Sequence, residues 1–149
     1  MWHQIVIGLL LSVSNVLIHS LGSWAMFLWV LKVLKKGAGG LTLVGTWWLV
    51  VRIVIFLLLM HAVEVAVWAQ FYVNQHCFSD AETAYYYSLM SYTTVGYGDV
   101  LLPHPWKIMG GLEAMIGVLM FGWSTATLAA FLHYLNDVRI RELRAHLGG

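Results

Sequence analysis

Three long apolar segments constrain this chain more than any other feature, because each of them can cross a lipid bilayer. Residues 5–31, 49–73 and 108–134 are predominantly hydrophobic, and about 20 such residues suffice for a membrane-spanning helix. Of all residues, 60% are hydrophobic and only 10% are charged, which excludes an ordinary soluble domain. The sequence therefore predicts an all-α integral membrane protein with three transmembrane helices.

The first apolar segment carries a polar stripe. Ser12, Asn15, His19 and Ser23 recur every three or four residues, which places them on one face of a helix. We expect that face to pack against protein and the opposite face to meet lipid. The start of the chain has no Lys or Arg and no small-residue cleavage site, so we expect this segment to be retained rather than removed as a signal peptide. A helix lying in the membrane interface is the alternative.

Basic residues predict the orientation. Seven of the eight Lys and Arg residues flank the gap between the first two segments, Arg52 just inside the second, or follow the third segment; Lys107 is the exception. Positively charged loops favour the cytoplasmic side, so the sequence predicts an external amino terminus and a cytoplasmic carboxyl terminus. The first segment has no ladder of arginines, so no voltage sensor of the usual kind is expected.

A second helix-forming stretch, too short to span, precedes the third segment. Residues 79–92 begin with Ser79 or Asp80 as a cap and carry acids in the first turn, where the helix dipole favours them. If this half-helix enters from outside, its partially negative carboxyl end points toward the membrane centre, which suits a cation. A non-helical stretch follows, in which Gly96 and Gly98 accept left-handed φ values without steric cost. A plain glycine-rich turn is the alternative interpretation.

The sequence Thr-Thr-Val-Gly-Tyr-Gly-Asp at residues 93–99 resembles, residue for residue, the selectivity filter of the potassium channel pore-loop family. The resemblance is greatest to small bacterial channels of the KcsA type, and it covers roughly residues 49–134. The third segment adds residues at the spacing of that family's inner helix, namely Gly117, Phe121, Gly122, Thr125, Ala126, Leu128 and Ala129.

This resemblance implies a homotetramer in a bacterial plasma membrane that conducts K⁺ passively through a central pore. The partners would be three further copies of the chain and the lipid bilayer, with no nucleic acid, no soluble ligand domain and no cofactor besides the permeant ion. It implies K⁺ ligation by the carbonyls of Thr94, Val95, Gly96 and Tyr97, with Gly98 completing the filter. It implies support from Thr93 and Asp99, a hinge at Gly117, and an inner pore lined by Phe121, Thr125, Ala126 and Ala129.

The implied domain organisation has four parts. Residues 1–36 form an amino-terminal transmembrane helix with a basic cytoplasmic end, and residues 37–46 form a glycine-rich cytoplasmic linker. Residues 47–135 form the pore domain, comprising outer helix, pore helix, filter and inner helix. Residues 136–149 form a short cytoplasmic tail that cannot hold a ligand-binding domain.

Two departures from the KcsA-type pattern are informative. Met90 stands where that type has a glutamate behind the filter, so stabilisation of Asp99 has to come from elsewhere, and the hydroxyl of Tyr86 or Tyr87 is the candidate. The amino-terminal helix has no counterpart in two-span members of the family.

The family pattern does not explain two intramembrane acids, Glu64 and Glu113. A charged group in the hydrocarbon costs on the order of 3 kcal/mol, so such residues are functional candidates. His61 lies three residues before Glu64, on the same helix face. One hypothesis is a protonatable cluster behind the filter that tunes conduction. The alternative is that the two acids stay neutral or are hydrogen-bonded to serine, tyrosine or tryptophan, and only fasten helices together.

Other functions are less consistent with the sequence. No nucleophile with a base and no metal-ligand spacing is found, so we expect no enzyme. The rival interpretations are a less selective cation channel, a transporter subunit, or a non-conducting regulatory subunit of a larger channel. The gating stimulus stays open among pH, membrane tension, lipid and events in the filter itself.

Overall fold

Four helices account for nearly all of the residues that the structure describes. The computed structural model describes residues 2–36 and 42–147. The helices are α1 (Trp2–Lys36), α2 (Leu43–Asn74), α3 (Ala81–Tyr92) and α4 (Lys107–Leu147). Within these residues three helices, α1, α2 and α4, are long and apolar enough to cross a membrane, and no strand is present. The described chain is thus the all-helical, three-span protein that the apolar segments predicted.

The helices extend beyond the apolar segments that predicted them. Thr42 caps α2 by accepting a 3.1 Å hydrogen bond from the amide of Gly45. α2 therefore starts within the stretch predicted as the 37–46 linker, of which residues 37–41 lie outside the described residues. α4 continues through most of the predicted tail to Leu147, because no proline or glycine interrupts the sequence between residues 123 and 147.

α1 packs along both α2 and α4. Gly8 and Gly22 let it approach closely, since a Cβ atom would overlap the side chain of Leu112 at the first and of Met60 at the second. Asn15 and His19 are fully buried, which confirms that the polar stripe faces protein. This lengthwise packing against two apolar helices favours a spanning α1 over a helix lying in the interface.

α3 is a short wedge between α2 and α4. Asp80 is its N-cap, and its carboxylate accepts a 2.8 Å hydrogen bond from the amide of Thr83. That bond and those from the Thr83 and Ser79 hydroxyls hold the pKa of Asp80 below its usual value. Ala84, Ser88 and Tyr92 recur every four residues and form the buried face. One face of α3 therefore packs inside the bundle, whereas Tyr85 and Leu89 on the other face are exposed in the single chain.

Two apolar cores stabilise the bundle. One surrounds α3 and contains the large side chains Trp68, Tyr72, Tyr92 and Met109. The other lies where α1, α2 and α4 meet without α3, and it includes Met26, Ile53, Leu57 and Phe131. Moving a side chain of this size from water into such a core contributes about 1.5–3 kcal/mol to the free energy of folding. The first core fixes the position of α3 and of the loop that follows it.

Gly117 allows α4 to touch the end of α3. A Cβ atom at this position would overlap the backbone carbonyl of Tyr92 and press on its ring. The glycine thus has a packing reason as well as the hinge role that the family resemblance implies. At Gly111, in contrast, an added Cβ meets no atom of the chain.

We expect Gly117→Ala to destabilise the folded protein by about 1–3 kcal/mol, the usual cost of overpacking a well-packed contact. The overlap is with backbone atoms, which cannot rotate away. Thermal unfolding in detergent should show a lower Tm for Gly117→Ala and an unchanged Tm for the control Gly111→Ala. Equal Tm values for the two variants would contradict this packing role.

Candidate functional site

The loop after α3 has an alternating backbone. The φ angle is +61° at Thr94, +52° at Gly96 and +77° at Gly98. Such alternation lets successive carbonyl groups point toward the same side of the chain, whereas in a β-strand they alternate between sides. The left-handed values at the two glycines agree with the sequence prediction. The left-handed value at Thr94 was not predicted, because threonine rarely adopts it.

The last turn of α3 holds the start of this loop. The amide of Thr93 donates to the carbonyl of Leu89 at 3.1 Å, that of Thr94 to Ser91 at 2.9 Å, and that of Gly96 to Met90 at 3.1 Å. These are carbonyls that a helix end leaves without partners. The amides of the loop therefore supply hydrogen-bond donors to the last carbonyls of α3, and these bonds fix the position where the loop begins.

Tyr86 holds the far end of the loop. Its hydroxyl donates to the carboxylate of Asp99 at 2.8 Å. This hydrogen bond, together with the negative charge of Asp99, raises the pKa of Tyr86 above its usual value. Tyr87 faces elsewhere, with its ring 5.4 Å from that of Tyr72 and 5.3 Å from that of Phe78. Of the two tyrosines predicted as possible partners of Asp99, the structure therefore selects Tyr86.

One face of the loop and of α4 is uncovered in the single chain. The side chains of Val95 and Tyr97 are 49% and 74% exposed, so their own chain does not cover them. The residues predicted to line the inner pore at positions 125, 126 and 129 are also exposed. Phe121 is half-buried, with its ring 4.5 Å from that of His61. Positions on both the loop and the middle of α4 are therefore uncovered in the single chain.

A buried cluster joins all four helices beneath the loop. Its members, which we call the histidine cluster, are His19 of α1, His61 and Glu64 of α2, Tyr92 of α3 and Ser124 of α4. The carboxylate of Glu64 lies 2.8 Å from Nδ1 of His19 and 3.0 Å from Nδ1 of His61, and it accepts the hydroxyl of Tyr92. The Oγ of Ser124 lies 3.0 Å from Nε2 of His61 and 3.4 Å from Nε2 of His19. All five side chains are buried.

The second intramembrane acid, Glu113, lies in a separate group. The hydroxyl of Ser88 donates to one of its carboxyl oxygens, and the hydroxyl of Tyr72 donates to the other at 2.8 Å. Glu113 thus joins α4 to α2 and α3 through hydroxyl groups. This agrees with the alternative in which the intramembrane acids fasten helices together by hydrogen bonds to serine and tyrosine. Glu64 instead lies between two imidazoles, and the two acids do not form a single cluster.

The sequence indicated part of this arrangement. His61 and Glu64 were paired by their spacing, and both acids were singled out by their cost in a membrane. The pairing of His19 with Glu64 was missed, since 45 positions separate them. The sequence feature that could have indicated this pairing is the polar stripe on the first segment, which includes His19.

His19, His61 and Glu64 are also the one trio of ligand-type side chains that the described residues bring within 4.8 Å. Two imidazoles and a carboxylate are ligands that zinc accepts. However, the carboxylate–imidazole separations of 2.8 and 3.0 Å are ordinary hydrogen-bond distances, and hydroxyl groups take the remaining positions. The geometry thus supports a hydrogen-bonded cluster.

The sequence of residues 48–134 matches the protein family described as "Ion channel". The match covers more than half of the chain and includes α3, the loop and most of α4. This chain belongs to the ion channel family. Neither a curated protein nor a solved structure matches it. The channel protein is thus a multi-pass membrane protein of ion transport, and α1 lies outside the part that the family match covers.

We expect Tyr86→Phe to loosen the channel's loop, because the substitution removes the one hydroxyl that holds Asp99 in the described chain. Hydrogen–deuterium exchange of the amides of residues 94–99 should become several-fold faster. Tyr85→Phe is the control, since Tyr85 is exposed and makes no side-chain hydrogen bond to the described residues. Exchange that is equally slow in both variants would show that Tyr86 does not secure the loop.

Proposed function

We propose that this chain is one subunit of a potassium-selective channel that conducts K⁺ passively through a homotetrameric pore. The observation that carries the proposal is the sequence Thr-Thr-Val-Gly-Tyr-Gly-Asp on a backbone that is left-handed at Thr94, Gly96 and Gly98. The family match supports the channel function, and the filter sequence and backbone support the choice of ion.

The mechanism follows from the carbonyl groups of Thr94, Val95, Gly96 and Tyr97. Four such loops around an axis form successive rings of oxygens that replace the hydration shell of K⁺, while Na⁺ is accommodated less well. The carboxyl end of α3 adds a partial negative charge near the inner end of the path. Ions then pass in single file, driven by their gradient and by repulsion between neighbours. The protein supplies no chemistry and only lowers the barrier to transfer.

The uncovered face of the chain supports the tetramer. Backbone that is not helical is tolerated at membrane depth only when it is buried in protein or lines water. Residues 94–98 are exposed in the single chain, so further copies must cover Val95 and Tyr97 while the carbonyls face a water-filled axis. One chain carries one loop, so a closed ring of four such loops requires four copies.

We further propose that α4 forms the inner pore, with Thr125, Ala126 and Ala129 on the lining and Gly117 at the bend. These three residues are exposed in the single chain, as residues 94–98 of the loop are. The asymmetric distribution of basic residues supports an external amino terminus and a cytoplasmic carboxyl terminus, and the resemblance supports a bacterial plasma membrane.

Flux measurements on the purified protein test this proposal. Liposomes loaded with K⁺ should release it through the reconstituted channel far faster than matched liposomes release Na⁺, and Ba²⁺ should block the release. Comparable K⁺ and Na⁺ fluxes would favour the less selective channel and contradict selectivity. Absence of any flux at several pH values and under membrane tension would favour the non-conducting regulatory subunit.

We expect Gly98→Ala to reduce K⁺ flux by about tenfold or more. A side chain at φ +77° costs roughly 1–2 kcal/mol, and the cost is repeated in each of four subunits. Gly122→Ala is the matched control, because its added Cβ meets no atom of its own chain and its φ is not positive. Unchanged flux in Gly98→Ala liposomes would contradict the assignment of this loop as the filter.

A further inference from the structure

The histidine cluster has a hydrogen-bond pattern that fixes its proton content. The carboxylate of Glu64 faces Nδ1 of His19 and Nδ1 of His61 at 2.8 and 3.0 Å. An ionised carboxylate only accepts hydrogen bonds, so each ring carries a hydrogen on Nδ1. In a neutral imidazole the second nitrogen is then an acceptor. Both Nε2 atoms would therefore require a donor.

Among the side chains that the structure describes, one hydroxyl, that of Ser124, is hydrogen-bonded to both Nε2 atoms. Ser124 Oγ is 3.0 Å from that of His61 and 3.4 Å from that of His19. A serine hydroxyl donates one hydrogen, so it can serve one neutral ring and leaves the other without a donor. If one ring carries an additional proton, its Nε2–H donates to Ser124, and Ser124 donates to the other ring. The chain of hydrogen bonds is then complete.

We propose that His19, His61 and Glu64 form a binding site for a single exchangeable proton, which holds Tyr92 in place at the root of the loop. α1 is required for this site, because it supplies one of the two rings between which Ser124 bridges. The ligand is the proton itself, and no other small molecule needs to enter the buried site.

Charge balance leads to the same count of one proton. Glu64 with one protonated ring has no net charge, whereas two neutral rings leave a buried anion and two protonated rings leave a buried cation. Both of the latter states are expensive away from water. Imidazole is more basic than a carboxylate, with ordinary pKa values of about 6.5 and 4.3. The proton therefore resides on a ring.

No other charged side chain of the described helices is hydrogen-bonded to the site. On α1 the residues Asn15 and Ser23, one turn away on either side, cannot titrate. On α2 the next charge is Arg52, which is exposed. On α3 the phenol of Tyr92 is the only titratable contact. On α4 the nearest acid, Glu113, precedes Ser124 by eleven residues, about 16 Å of helix, and is bonded to Ser88 and Tyr72.

The site is coupled to the loop through Tyr92. Its hydroxyl donates to Glu64, and the next residue, Thr93, begins the loop. Its carbonyl contacts the position where Gly117 lets α4 approach. Gain or loss of the proton changes the charge on the imidazoles beside Glu64. It therefore changes the strength of the hydrogen bond from the Tyr92 hydroxyl to Glu64. If the proposed function is correct, conduction therefore depends on whether this proton is bound.

Nitrogen-15 NMR of histidine-labelled protein tests the proton count without any need for conduction. Signals of His19 and His61 are assigned by their loss in His19→Gln and His61→Gln. At pH 7 the wild-type protein should show one imidazolium per subunit in this pair, and the neutral ring should carry its hydrogen on Nδ1. Two neutral rings, two charged rings, or a neutral ring with its hydrogen on Nε2 would overturn the proposal.

Flux measurements then test the coupling. K⁺ flux of the wild-type channel should differ several-fold between pH 7, where the NMR signals show the bound proton, and a pH at which the imidazolium signal is lost, with the same pH on both sides. A difference of about one pKa unit between conducting and closed states would give up to tenfold. The double variant His19→Gln/His61→Gln should flatten this profile, and Ser124→Ala should shift its midpoint.

His133→Gln is the control variant, because His133 is exposed and lies 3.7 Å from Asp137 on the same helix. It should retain the wild-type profile. A pH response that survives in the double variant and disappears in His133→Gln would overturn the coupling. Absent flux together with the predicted NMR signals would contradict the channel proposal and leave the proton site in place.

Discussion

The backbone of residues 93–99 is not helical, and the helices around it are packed so that they hold it in place. Its polar groups lie in a chain whose composition is that of a membrane protein, and they need partners or water. The carbonyls at the end of α3 accept amides from the start of the loop, and Tyr86 holds Asp99 at its end. α3 thus supplies most of this support, and the aromatic core around α3 fixes its position.

Each of the neighbouring helices also contributes to that support. α2 provides Glu64, which accepts the hydroxyl of Tyr92. α4 provides Gly117, whose missing side chain lets the helix touch the same residue's carbonyl. α1 contributes indirectly through His19, which binds Glu64. The helix that the family match does not cover is therefore joined to the loop through two hydrogen bonds in series.

Much of the fold could be predicted from the sequence, because membrane insertion makes hydrophobicity decisive. Three spans, the cap at Asp80 and the left-handed glycines each follow from local residue properties. The pairing of His19 with Glu64 depends on how two helices are rotated against each other, which a single sequence does not reveal. The left-handed φ of Thr94 depends on its hydrogen bond to Ser91, and local preference alone argues against it. The helical extension of α4 through the tail is consistent with the absence of proline and glycine between residues 123 and 147.

We propose that four loops bind K⁺ through their backbone carbonyls. A structure in which another ion replaces K⁺ would show directly whether ions bind there. Crystals of the full-length protein grown in Tl⁺, which substitutes for K⁺, would reveal the ions by anomalous scattering. The account predicts a row of peaks on a four-fold axis, ringed by the carbonyls of Thr94, Val95, Gly96 and Tyr97 from four chains. A tetramer with no peak at these carbonyls, or an assembly without a four-fold axis, would contradict it.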